Sequence, residues 1–542
     1  MRKKRILFFG EATYLNTGYA TYGREVMKRL YQSDKYELAE FASYGEGSKH
    51  NQPWGCYPNM PNTSVMNEVD AYNEKPTNQF GEWRFEEVLL DYQPDIVFDI
   101  RDFWMLEYQE RSPFRPLFNW AIMPTVDAAP QNEQWLATYS SANAVFNYSD
   151  WGYEVLKEES NGAINCLGAA PPSADAAYQP VENKLAHKES LGLDPDIKII
   201  GTVMRNQRRK LFLDLFEAFR KFLDIYDGRD VFLYCHTSYP DLGWDIPKLI
   251  NRYRLSGKVI FTYVCSECLH AFPSFFADAR TKCSRCGSHS AGLSNVKNGV
   301  SYEFLSNIMN TFDLYVQYAN SEGFGLPQVE AAACSVPVMS VDYSAMSSVI
   351  RKLGGTPLKI KAVYNELETG CDRAVPDNEN TAVEFKKFFD LSKEQRSQKG
   401  KDARKNFEKH YQWDQTAQKW QDYFDSVDIL PAEQTWKSPP RIHSPATDVP
   451  GHLPPSQYVK WLIINVLGEP ERLNSYMEAR MVRDLNYGMY IEGTGEMYLN
   501  EDSYKFIRPE FKEFDIKIAY TMMADLCQRR NRWETRRKEL IK

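Results

Sequence analysis

Short apolar runs rich in β-branched and aromatic residues recur along the chain, separated by longer stretches with apolar positions three and four apart. "RILFFG" from Arg5, then "ELAEFAS", "DIVFDIR", "FNWAIMPT" and "AVFNYS", each have the length and composition of a buried strand. Near Ile199 the rhythm restarts with "IKIIGTVM", the helical "LFLDLFEAFRKFLDIY", "DVFLYCHT", the helical "PKLINRYRL", "KVIFTYV", "DLYVQYA" and "VPVMSV". Strands that are apolar throughout, alternating with helices, predict α/β halves whose parallel sheets are covered on both faces. Two doubly wound halves predict a cleft between them, with ligands beyond the carboxyl ends of the strands.

This pattern divides the chain into residues 1–180, residues 181–425, a linker over 430–457 with seven prolines, and an extension over 458–542. The extension reads as mainly helical and ends in "QRRNRWETRRKELIK", Gln528 to Lys542. Such a run is ordinarily a solvated face; a phosphate-binding face is the other reading. At 542 residues with 43% hydrophobic and 14% aromatic content, the chain can bury several cores. No apolar run is long enough to span a bilayer, and "MRKKRILFFGEATY" lacks the pattern of a signal peptide, so no transmembrane segment is expected. A net charge of −8 argues against a protein that coats DNA, while leaving local basic patches open. Of ten cysteines, four form one tight pattern and the rest are scattered, as in a reducing cytoplasm, where the protein is expected.

The chemistry concentrates in "ANSEGFGLPQVEAAACSVPVMS", Ala319 to Ser340. A strand precedes it, Gly323 and Gly325 relax the backbone around Phe324, and Pro327 suits the first turn of a helix that opens near Leu326. Helix-start amides beyond a strand's carboxyl end favour an anion. Glu322 and Glu330 would repel a phosphate there, so they are suited to accept hydrogen bonds from neutral hydroxyls beside it. A phosphate next to hydroxylated rings describes a nucleotide sugar. The plainer reading makes Glu322 a loop cap and Glu330 a solvated first-turn residue.

A second cluster follows the restart strand. In "GTVMRNQRRKLFLDLFEAF", Arg205 and Lys210 stand at the turn into a helix, where their charges and the helix amides could neutralise a diphosphate. Arg208 and Arg209 compete for that role. The glycine loop "LNTGYATYG" after the first strand, Arg-x4-Lys after the restart and Glu-x7-Glu in "EGFGLPQVEAAACSVPV" together resemble the retaining GT-B glycosyltransferases of family 4, from about Arg5 to Tyr423.

That resemblance implies two Rossmann-like domains, an acceptor-side one first and a donor-binding one second. It implies a hexosyl- or pentosyltransferase using a nucleoside-diphosphate sugar such as a UDP-sugar. Arg205 and Lys210 would hold the donor diphosphate, Glu322 the hydroxyls of the transferred sugar and Glu330 the nucleotide ribose. Gly323, Phe324, Gly325 and Leu326 would form the donor loop, with Gly18 approaching the donor from the first domain. Many members carry a histidine at the position matching Val126; here Asp127 is the polar side chain of "MPTVDAAP" and the expected active-site residue touching sugar or acceptor. If Arg205 and Lys210 supply the positive charge, no catalytic metal is expected.

"CSECLHAFPSFFADARTKCSRCG" places Cys265, Cys268, Cys283 and Cys286 as two Cys-x2-Cys knuckles. The spacing predicts a structural four-thiolate Zn²⁺ ribbon over 264–289, with disulfides or a redox pair as the alternative. Ordinary family members lack this insertion. A zinc ribbon and an arginine-rich end favour a nucleic acid with hydroxylated bases as acceptor, whereas the acidic net charge favours a glycan, a lipid-linked sugar or a protein. A non-catalytic carbohydrate- or nucleic-acid-binding module of the same fold is the competing class.

Overall fold

A computed structural model describes residues 2–429, apart from 111, 113, 229, 277–279 and 296–298, and beyond these only the paired segments Arg441–Ile442 and Glu496–Met497. The expected linker, extension and basic stretch Gln528 to Lys542 otherwise lie outside the described residues.

The first sheet comprises β1 (Lys4–Glu11), β2 (Tyr36–Ser43), β3 (Gly55–Pro58), β4 (Ile96–Asp99), β5 (Asn119–Ile122), β6 (Ala144–Asn147) and β7 (Cys166–Ala169). Their order is β3-β2-β1-β4-β5-β6-β7, and every neighbouring pair is parallel. Successive side chains of β1 go to opposite cores: Leu7 and Phe9 pack with Phe41, Val97 and Trp120, while Ile6 and Phe8 pack with Val26, Phe98 and Phe146. This two-sided burial is why the strand is apolar at nearly every position rather than alternating. β3 and β7 have no such run. They are four-residue edge strands containing Gly55 and Gly168, and only their neighbours reveal them.

The second sheet is built from β8 (Lys198–Val203), β9 (Val231–His236), β10 (Val259–Cys265), β11 (Ala271–Phe275), β12 (Arg280–Thr281), β13 (Ala291–Leu293), β14 (Leu314–Gln317), β15 (Val338–Val341) and β16 (Thr356–Leu358). Its parallel part runs β10-β9-β8-β14-β15-β16, and the cysteine insertion adds β11, β12 and β13 antiparallel at the β10 edge. A separate antiparallel hairpin, β17 (Ile360–Asn365) and β18 (Asp372–Pro376), follows. In both sheets the chain starts centrally and reverses its direction of growth, between β1 and β4 and between β8 and β14. At these switch points the loops diverge and leave a crevice.

The loop after β1 is shorter than the sequence suggests. Thr17 Oγ1 accepts from Ala20 N at 3.2 Å and caps a helix, Gly18–Gln32, that contains Gly23. A Cβ on Gly23 would lie 2.2 Å from Cζ of the Phe8 ring, so that glycine serves close packing of the helix on β1 and not the loop.

Helices Asn378–Phe389 and Lys393–His410 cover the second half, but Trp413–Ser426 returns to the first. Trp420 Nε1 donates to the Tyr22 hydroxyl at 2.9 Å, and its ring lies 4.2 Å from that of Phe146 between centroids. This return ties the two halves together beyond their single connection. Among the described residues no helix is long and apolar enough to cross a membrane.

Candidate active site

The loop after β14 is shaped by two glycines with different tasks. Gly325 has φ +83° and stands immediately before the helix Leu326–Ala333, a left-handed turn that a side chain would strain. Gly323 is where the two halves approach: a Cβ there would lie 2.5 Å from Cγ2 of Thr125, on the loop after β5. Phe324 between them is buried against Tyr411 and anchors the loop.

Backbone pairing brings the loop after β8 alongside. Leu211 N donates to Tyr318 O at 3.2 Å, Asn320 N to Arg209 O at 3.0 Å, and Lys210 bridges to Ala319. Arg209 and Lys210 are therefore held against Ser321 and Glu322. The Lys210 ammonium and Gln317 Nε2 meet Glu322 Oε1, the latter at 2.8 Å, and Arg209 Nη1 donates to Oε2 at 2.7 Å. Glu322 is nearly buried, as is Lys210. Burial and the Arg209 charge pull the Lys210 ammonium well below its usual range, and the Asp127 charge opposes that pull.

Arg205 takes another place. Its guanidinium forks onto Asp241 at 2.9 and 3.1 Å, on the exposed side of the loop, and holds that carboxyl down at about 2. The chain turns between the two positions, with Lys210 N bonded to Gln207 O at 3.0 Å, so Arg205 and Lys210 do not share a face. Among the described residues the cation beside Lys210 on Glu322 is Arg209, which the sequence reading held only as a competitor.

Asp127 lies across the interface between the halves. Its Oδ2 is 3.0 Å from Arg373 Nη1 on β18, and Ser321 Oγ donates to it at 3.4 Å. Arg373 also donates to Ser321 Oγ at 2.5 Å and to Glu366 at 2.7 Å, while Asp372 N reaches Ala129 O at 2.8 Å. A second group faces this latch from the first half. The Tyr19 hydroxyl donates to Asp102 Oδ1 at 2.6 Å and lies 2.7 Å from Thr125 Oγ1. Burial raises the Asp102 carboxyl. Arg373, Tyr19 and Asp102 were not picked out from the sequence: Arg373 and Asp102 come from segments without a motif, Tyr19 was only part of the glycine loop beside Gly18, and each acquires its place only through folding. Gly18, one residue before Tyr19, has no heavy atom within 4 Å of where a Cβ would stand.

Residues 282–382 match the family Glycosyl transferases group 1, a span that contains the whole β14 loop, its helix and the hairpin. The chain has the GT-B fold, and the stretch that matches the group 1 glycosyltransferases lies in its second half. Solved structures share the fold at low identity. Sucrose-phosphate synthase from Thermosynechococcus elongatus is 16% identical with a TM-score of 0.57, over 79% of this chain and all of that one. HepE from Anabaena in complex with UDP and glucose is 12% identical with a TM-score of 0.54, over 78% and 100% of the two chains. The E. coli trehalose-6-phosphate structure bound with UDP-2-fluoro glucose is 13% identical with a TM-score of 0.52, over 79% of this chain and 100% of that one. Comparison with curated protein sequences gives no match.

Glu330 sits one turn into the helix Leu326–Ala333, nearly buried against Tyr178 from the segment joining the halves. Burial pushes its carboxyl up to about 8; the Tyr178 hydroxyl opposes this and the Asp175 charge adds to it. No ion pair reaches Glu330 among the described residues; it is a buried carboxyl met by the Tyr178 hydroxyl and not the solvated residue of the plainer reading. A cavity of about 980 Å³ opens beside Arg209, lined among others by Arg208, Trp244, Asn320 and Tyr364. It offers space for a substrate outside the Glu322 cluster.

The four cysteines converge at the end of β10. Their sulfurs lie within 4.8 Å of one another, with Cys265 to Cys286 and Cys268 to Cys283 both at 3.6 Å. Each knuckle closes the same way: Leu269 N donates to Cys265 O at 3.0 Å and Gly287 N to Cys283 O at 3.1 Å, both from residues with positive φ. Four thiol sulfurs so placed fit a tetrahedral zinc, whose bonds of about 2.3 Å give nearly this separation. The insertion is therefore no free module. It extends the sheet, and because β10, β9 and β8 are parallel, Cys265 emerges at the same edge as the loop carrying Arg205 to Lys210.

Proposed function

We propose that the enzyme transfers a hexose or pentose from a UDP-sugar to a hydroxyl of its acceptor, with the anomeric configuration retained, and that the acceptor is a hydroxylated base in DNA. The observation that carries the donor reading is the convergence of Arg209, Lys210 and Glu322 where β8 and β14 open the crevice. UDP is favoured because solved relatives of the fold hold UDP or a UDP-sugar.

In this reading the bond from the anomeric carbon to the diphosphate breaks and its electron pair passes to the leaving oxygen. Lys210 and Arg209 meet the charge that develops there, and Arg205 joins them by exchanging Asp241 for a phosphate oxygen. The acceptor oxygen bonds the same face of the sugar, and its proton passes to the departing phosphate. Glu322 accepts from sugar hydroxyls once the diphosphate takes over its cations, and Glu330 accepts from the ribose. Asp127 borders sugar and acceptor, and Gly18 lets the first half close on the donor. Precise placement is the protein's main contribution.

The DNA acceptor is favoured by the ribbon's position at the ligand edge of the sheet and by the arginine-rich end of the sequence. In the ribbon, zinc would be held by Cys265, Cys268, Cys283 and Cys286 and would supply rigidity, since four thiolates leave no open position. The test is to screen UDP-sugars for slow hydrolysis, then offer the best donor to DNA containing hydroxymethylated pyrimidines, to glycans, to lipid-linked sugars and to proteins. Transfer to the DNA, weakened by added salt, is the expected result. Hydrolysis of no nucleotide sugar would favour a non-catalytic binding module, and transfer only to another acceptor would overturn the DNA assignment alone.

A further inference from the structure

The first sheet carries a second set of metal-type donors, away from the cysteine ribbon. Glu40 on β2 and Cys56 on the edge strand β3 are direct cross-strand partners, and His50 lies on the connection between these strands. One ligand atom from each lies within 4.8 Å of the others. Glu40 is completely buried, and among the described residues no lysine or arginine pairs with it.

The hydrogen bonds narrow the possibilities. His50 Nε2 is 2.9 Å from the carbonyl oxygen of Trp54, and a carbonyl only accepts, so Nε2 carries a proton. In the neutral ring, Nδ1 then turns its lone pair to Glu40 Oε1 at 2.9 Å, another acceptor, with the Cys56 sulfur facing the same point. The Cys56 thiol is held to Glu40 as well, so a cation that displaces its proton would meet nitrogen, oxygen and sulfur lone pairs at one point. The atoms turned away from that point are already held, Nε2–H by Trp54 O and Glu40 Oε2 by Thr13 N at 3.3 Å. Outer partners of this kind fix metal ligands in orientation. A zinc ion about 2.0 Å from the nitrogen and oxygen and about 2.3 Å from the sulfur would open the His50–Glu40 contact by only a few tenths of an ångström.

We propose that Glu40, His50 and Cys56 form a second divalent-metal site of zinc type, with a fourth position open to water. His50 and Cys56 are partly exposed and give the ion a route from solvent. The carboxylate and thiolate charges neutralise the ion. Through Glu40 and Thr13 the site fastens the start of the loop after β1, whose Thr13 carbonyl also receives Arg24 Nη1 at 3.0 Å. The metal assignment does not depend on the glycosyl-transfer reading; only the value of fastening this loop does.

The test measures zinc per full-length chain after equilibration with Zn²⁺ and gel filtration. Two ions are expected in the wild type, and one in His50→Gln, in Cys56→Ser and in Cys283→Ser/Cys286→Ser. Glu40 is left intact because its burial makes a folding defect the obvious outcome. Co²⁺ loaded into Cys283→Ser/Cys286→Ser should give a single-thiolate charge-transfer band that Cys56→Ser abolishes. If that background does not fold, the wild type and Cys56→Ser compared by zinc content still decide the matter. Zinc content unchanged by both His50→Gln and Cys56→Ser overturns the proposal and leaves a doubly protonated His50 paired with Glu40.

Discussion

Arg209 Nη1 donates to Glu322 Oε2 across 2.7 Å, and the Lys210 ammonium meets the other oxygen of the same carboxylate. A residue suited to sugar hydroxyls thus stands between two cations suited to a diphosphate. The carboxylate offsets charges that burial would otherwise leave uncompensated. On the proposed reading donor binding would exchange one anion for another; the shared ion pairs make the three residues a unit and their substitutions non-additive.

Lys210→Ala and Arg209→Ala should each lower kcat/KM for donor hydrolysis by roughly a hundredfold or more, as loss of a preorganised cation at a developing charge does. Arg205→Ala should cost less, because its Asp241 pair is broken in reaching the phosphate. Steady-state kinetics of the three variants decide whether Arg209 or Arg205 is the partner of Lys210; an Arg209→Ala enzyme with full turnover would return that role to Arg205.

Glu322→Gln should chiefly slow sugar transfer, whereas Glu330→Gln should chiefly weaken binding of the nucleoside diphosphate. Each change keeps the shape and turns one acceptor into a donor. Calorimetric binding of UDP set beside turnover separates the two; equal loss of UDP affinity in both would undo this division of labour.

Glu330 also predicts a pH effect. Its carboxyl titrates at about 8 through burial. Ribose hydroxyls bond best to the carboxylate, so binding releases a proton and UDP affinity should rise as pH rises through 8, by up to roughly thirtyfold between pH 6.5 and 9. Glu330→Gln should remove that difference. Because the folded state holds this proton more tightly than the unfolded one, the contribution to stability is fullest below the ordinary carboxyl range and falls as pH rises towards 8.

Gly323→Ala should impair turnover by forcing apart the loops that meet at Thr125 Cγ2. Overpacking of this kind costs about 1–3 kcal/mol. Thr125→Ser removes Cγ2 while keeping the hydroxyl beside Tyr19, so the double variant should recover much of the lost activity. Kinetics of the single and double variants, with thermal melting to monitor folding, would show no such recovery if the approach of the halves were irrelevant.

Cys283→Ser or Cys286→Ser should release the ribbon zinc and increase hydrogen exchange over 264–289, while donor binding at the β8 and β14 loops largely survives. Metal analysis and exchange measurements check the first part and UDP calorimetry the second. If the ribbon seats the acceptor, transfer should fall further than donor hydrolysis.

The sequence by itself determined the elements that carry their own pattern. Strands buried on both faces are apolar throughout, so β1, β2, β8, β10 and β14 were legible, as were the helix after β14 and the cysteine knuckles, whose ligands are close in sequence. The edge strands β3 and β7 were not, because a short strand with one neighbour needs no apolar run. Glu322 and Glu330 could be singled out because their spacing within one β-α-β unit is local, and Lys210 because it stands at the turn into the helix after the restart strand. Tertiary structure alone decided which arginine stands beside Lys210, since the turn through Gln207 directs Arg205 towards Asp241 and Arg209 towards Glu322. It also decided the pairing of Asp127 with Arg373, which lie on different halves and meet only when these close. Side-chain direction in a loop follows from the backbone hydrogen bonds that pin it, and those partners come from distant parts of the chain.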